Sequence, residues 1–151
     1  MKTLMQLAFA MLLINSTMAQ TKKIIFVCEH GAGKSVVAAS YFNKLAKERN
    51  LDYVAECRGT NPDSIVSLKT QEGLTKDNVY DANTKPTKLQ VSDTTNAERI
   101  ILFTAAPPGL NAKVKIENWS DVENVDAEYQ KRRDAIIQKI STLLDTLENV
   151  K

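Results

Sequence analysis

Histidine occurs once in the 151 residues, at His30, and cysteine twice, at Cys28 and Cys57. So sparse a set of soft ligands gives no metal-binding cluster, and no metal or cofactor is expected. Charge of one sign is also lacking. The net charge is +2 and the lysines and arginines are scattered among the acids, so nothing points to nucleic acid. No apolar run is long enough to cross a bilayer. Nor is there an internal repeat or a low-complexity tract.

The longest apolar run, residues 7–14, follows Lys2 and precedes Ser16-Thr17-Met18-Ala19. A basic start, a short apolar centre and small residues before a cut are the three parts of a secretory signal peptide. Residues 1–19 are therefore expected to be removed, and no cysteine follows the run to take a lipid anchor. The expected location is periplasmic or secreted, with no membrane contact after cleavage and both thiols exposed to oxidation. With 43% hydrophobic residues, 20–151 suffices for a single domain that buries a core.

The chain is organised around Ile24 to Tyr41, which reads I-I-F-V-C-E-H-G-A-G-K-S-V-V-A-A-S-Y. An apolar strand empties through a loop with Gly31 and Gly33 into a helix that begins near Lys34. Such a junction aims several backbone amides and the positive end of a helix dipole at one point, which makes an oxyanion site. The nucleotide pattern G-x4-G-K-[ST] fits Gly33, Lys34 and Ser35 but puts Cys28 where its first glycine belongs. The later apolar run 100–103 ends in Thr104, so the aspartate that holds magnesium is missing as well. The thiol-phosphatase pattern C-x5-R-[ST] fits Cys28 and Ser35, with Lys34 at the arginine position.

With its strand before and helix after, F-V-C-E-H-G-A-G-K-S-V-V-A-A resembles the active-site loop and first helix of the low-molecular-weight protein tyrosine phosphatases and the arsenate reductases that share their fold. The rest of the chain reads in step with that. Strands are expected over 22–28, 51–57, 99–104 and 113–119, and helices over 34–49, 63–74 and 126–150. A shorter helix is expected within 87–97. Asn61-Pro62 reads as the cap and first residue of the second helix. Alternating strands and helices imply an α/β fold with a parallel sheet and helices on both faces, and the resemblance implies four strands in the order 2-1-3-4. Its ligand belongs at the carboxyl edge, beside Cys28.

The resemblance implies a phosphomonoester hydrolase that works through a phosphocysteine. Cys28 would attack phosphorus, the amides of Glu29, His30, Gly31, Ala32, Gly33, Lys34 and Ser35 would hold the oxygens, and Asp121 would protonate the leaving group, with Asp126 as second choice. Helix dipole, converging amides and the Lys34 charge all favour the thiolate, and the Ser35 hydroxyl is placed to donate to it. Arginine offers phosphate a rigid fork where lysine offers a point charge. Losing one preorganised contact of that kind costs roughly 2.7–4 kcal/mol in the transition state, so binding should survive better than turnover. An oxyanion binder without turnover is the alternative, for phosphate or arsenate. A thiol redox or arsenate-reductase role through Cys28 and Cys57 is a third reading. Cys57 reads equally as a buried free thiol, Asp121 as a solvated loop carboxylate, and Trp119 as core. The proline that usually follows the acid and the tyrosines that grip a phenyl ring are absent, so no phosphotyrosine specificity is implied.

Overall fold

The computed structural model describes residues 20–110, 113–123 and 128–149; the expected signal peptide and Asp126 lie outside them. Its first strand, β1 (Lys22–Cys28), carries Ile24, Ile25, Phe26 and Val27 with no exposed surface. A strand apolar on both faces belongs in the middle of a covered parallel sheet. The sheet runs β2 (Tyr53–Gly59), β1, β3 (Arg99–Leu102), β4 (Lys115–Asn118), all parallel, as the sequence implies. From β1 the chain goes first to one side and later to the other. The carboxyl end of β1 is thus the switch point, where an open sheet of this kind leaves a crevice.

One face of the sheet presents Ile24, Phe26, Cys28, Ala55, Cys57, Ile101 and Phe103. Against it lies α1 (Lys34–Glu48), whose Val37, Ala38, Tyr41, Phe42 and Ala46 are buried at helical spacing. Beside it lies α4 (Tyr129–Glu148), which buries Ile136, Ile140, Leu143, Leu144 and Leu147. The helix α1 stops at Arg49 because Asn50 takes a left-handed conformation, φ 53°. The other face, Ile25, Val27, Ile100 and Leu102, has a thinner cover. Leu89, Ala97, Leu110 and Val114 pack on it, the first two flanking the short α3 (Val91–Asn96). Asp93 of α3 closes a capping box with Gln90 and accepts two bonds from Arg58 at the end of β2. That pins α3 to the sheet.

One expected boundary is corrected. The second helix, α2, spans Leu68–Lys76 with Ser67 as its cap, and does not start at Asp63. The amides of Thr60, Asn61, Asp63 and Ser67 donate to the carbonyls of Cys28, Glu29, His30 and Ala32. A segment whose amides serve another loop in this way stays out of the helix. The helices then meet on one carboxylate. Asp77, just past α2, accepts from Tyr41 Oη at 2.6 Å, from Tyr129 Oη at 3.1 Å and from Arg133 at 3.2 Å.

Candidate functional site

Cys28 closes β1 in register with Gly59, and its Sγ lies 3.0 Å from the Oγ of the fully buried Ser35. Between them, the carbonyls of residues 28, 29, 30 and 32 are all taken by residues 60–67. In a planar trans peptide the N–H points opposite to the C=O. The amides of Glu29, His30, Gly31 and Gly33 therefore face away from that clamp. Among the described residues no backbone carbonyl accepts from residues 29–33. Gly33 caps α1 without a side-chain bond, and the first turn of α1 carries no acid. The positive end of the helix is left unneutralised, toward the sulfur.

Two glycines make the curl. Gly31 sits at φ +59°, and a Cβ on Gly59 would come within 2.8 Å of the Gly31 nitrogen. The end of β2 thus touches the loop backbone directly, which only glycine permits. The resulting cleft, about 420 Å³, is lined by Cys28, His30, Lys34, Asp63, Phe103 and Arg132 among others. Its two carboxylates sit around one imidazole. Asp63 lies 3.2 Å from His30 Nδ1, and Glu29 lies 3.9 Å from His30 Nε2. All three side chains are exposed.

Lys34 has a second task. Its Nζ donates to the Val122 carbonyl at 3.0 Å and stands 5.8 Å from the centre of the Phe103 ring. Burial pushes the ammonium below the ordinary lysine range; attraction to Cys28 opposes this, and repulsion from Arg132 adds to it. The segment after β4 thus reaches the cleft through Val122. Asp121 points elsewhere. It is exposed and paired to Lys139 at 2.8 Å, whose hydrogen bond holds its carboxyl below the usual aspartate range. It lines a neighbouring cleft with Lys139 and Trp119. Trp119 itself is core, 5.7 Å from Phe26 and 5.8 Å from Phe103 between ring centres.

Cys57 is a free, buried thiol, pushed up by that burial. It pairs with Phe26, two residues back from Cys28 on the same face. That step, with the spacing between strands, separates the two Cα atoms by roughly 8 Å. The gap exceeds the reach of a disulfide without backbone movement. The sequence reading missed Arg132. It lies in the first turn of α4, one position off the apolar stripe, and the only signal for it is the arginine missing from the loop.

A parallel sheet in this order, with a cysteine loop at its switch point, is the fold of the low-molecular-weight protein tyrosine phosphatases and their arsenate-reductase relatives. Among solved structures, the chain is similar to YfkJ from Bacillus subtilis, with a TM-score of 0.75 and 17% identity over 87% of this chain and 97% of that one. It is similar also to a low molecular weight protein tyrosine phosphatase from T. tengcongensis, with a TM-score of 0.73 and 19% identity over 83% and 99%. The arsenate reductase from Archaeoglobus fulgidus gives a TM-score of 0.64 and 20% identity over 81% and 98%. No protein-family profile matches the sequence, and no curated protein does. At such identities the likeness is one of fold.

Proposed function

We propose that this protein is a thiol-dependent phosphatase acting on a phosphomonoester, in the periplasm or outside the cell. The observation that carries the reading is the Cys28 loop: a sulfur 3.0 Å from a buried hydroxyl, ringed by amides whose carbonyls are engaged elsewhere. The Cys28 thiolate attacks phosphorus as the bond to the leaving oxygen breaks, and Asp121, released from Lys139 and protonated from solvent, gives that oxygen its proton. Water then attacks the phosphocysteine, Asp121 takes back a proton, and phosphate leaves with the thiolate restored. Ser35 donates to the sulfur in both steps. Freeing Asp121 is cheap, since an exposed ion pair contributes about 0–1 kcal/mol.

A second reading, an oxyanion binder without turnover, is favoured by two side chains. Lys34 is spent on the Val122 carbonyl, and Asp121 rests on Lys139. Hydrolysis of an aryl phosphate by the reduced protein, compared across wild type, Cys28→Ser and Lys34→Arg, tests both. The enzyme reading expects wild-type turnover lost in Cys28→Ser. Turnover that survives Cys28→Ser refutes it, and phosphate binding without turnover leaves the binder.

A further inference from the structure

The pattern C-x5-R-[ST] places a guanidinium beside the anion from the first residue of the helix. Here that residue is Lys34, with its nitrogen on a backbone carbonyl. The loop then offers amides, which are neutral donors, and no fork. Across the cleft stands Arg132, presented by the first turn of α4 and half-buried. Among the described residues its Nε is buried with no hydrogen-bond partner.

A buried donor left unpaired keeps its full desolvation cost, and folded proteins seldom tolerate one. Lys34 offers it no partner, since the two cations line the same cleft and repel each other. The carboxylates of the cleft, Glu29 and Asp63, gather around His30. Arg132, with its orphaned nitrogen, and the loop amides from which no described backbone carbonyl accepts therefore face one space beside a thiol. What satisfies all of them together is a tetrahedral oxyanion.

We propose that Arg132 is the bidentate clamp of this site, taking from α4 the part that the loop arginine takes in C-x5-R-[ST]. The inference rests on the Cys28 loop being an oxyanion site, as proposed above. It adds the residue that grips two of the oxygens, and it changes the consequence drawn from Lys34. The lysine need not hold the anion, because it braces the 119–123 segment while Arg132 supplies the fork. The anion must then give two free oxygens to Arg132 and a third to the loop amides, which phosphomonoesters, inorganic phosphate and arsenate do and phosphodiesters, with two free oxygens in all, do not.

The test is protection of Cys28 from iodoacetamide by inorganic phosphate and by arsenate, read by mass spectrometry on the reduced protein. The variants are Arg132→Met, Arg132→Lys and Lys131→Met, the last a loss of equal charge one residue away. Wild type is expected to be protected. Arg132→Met should weaken the apparent Kd at least about ten-fold, the scale of one charge-assisted bond. Arg132→Lys should recover only part of this, and Lys131→Met should match wild type. Circular dichroism checks that each variant is folded. Protection equal in Arg132→Met and wild type, or lost equally in Lys131→Met, overturns the assignment and leaves the oxyanion site standing. No protection of wild type by either anion overturns both.

Discussion

At the scale of single residues, the site divides into groups that touch the anion space and groups that hold those in place. Ser35, fully buried and bonded to the Cys28 sulfur, belongs with the second. Removing its hydroxyl in Ser35→Ala leaves the sulfur without its 3.0 Å partner, and kcat for an aryl phosphate should fall by about ten-fold or more while the fold persists. Asp121 is restrained by Lys139, and a general acid must carry its proton to act. Lys139→Met removes the bond that holds the carboxyl low, so the limb on which the rate falls with rising pH should move to higher pH. A pH–rate profile measures it, and an unmoved limb would remove Asp121 from the reaction. The loop was legible in the sequence because Cys28, Gly31, Gly33 and Ser35 are contiguous, and local spacing determines what they build. Arg132 was not legible. It comes to the cleft across the fold from a helix whose pattern speaks only of core packing.

At the scale of elements, β1 and α1 were read nearly to the residue, since an all-apolar strand and a 3.6-residue stripe leave few alternatives. The start of α2 was misread because Asn61-Pro62 carries the local signature of a helix start, whereas the bonds that overrule it come from a distant loop. The packing of α2 on α4 offers a sharp check. A Cβ on Gly73 would lie 2.4 Å from the Tyr129 ring, which the bond to Asp77 holds in place. Gly73→Ala gains at most about 1 kcal/mol of helix propensity against about 1–3 kcal/mol of overpacking. A net loss is expected, lowering Tm by about 2–4 °C per kcal/mol, and Tyr129→Ala in the same background should relieve the steric part. Asp77 works by charge. Burial is the largest influence on it and pushes its carboxyl up, but the bonds from Tyr41, Arg133 and Tyr129 outweigh this and hold it below the ordinary range. Its folded pKa is thus depressed. The stability it adds is complete above the ordinary aspartate value of about 3.9 and is lost as pH falls through the folded value. Asp77→Asn should cost about 1–3 kcal/mol in urea denaturation at neutral pH and much less near pH 2.

For the whole molecule, a covered parallel sheet followed from the alternation of elements, while its strand order, and with it the place of the site at the carboxyl edge, came with the resemblance of the loop. What spacing does not give is the offset between strands. That offset sets Cys57 against Phe26 and leaves it short of Cys28. The distance has a chemical price under peroxide. A nucleophilic sulfur converted to sulfenic acid is normally rescued when a second thiol condenses with it, and here no such thiol is within reach. Continued exposure should carry Cys28 on to the sulfinic state, so that dithiothreitol restores activity after a brief peroxide pulse but not after a long one. An intramolecular disulfide trapped on the way would show that the sheet edge yields more than its register implies.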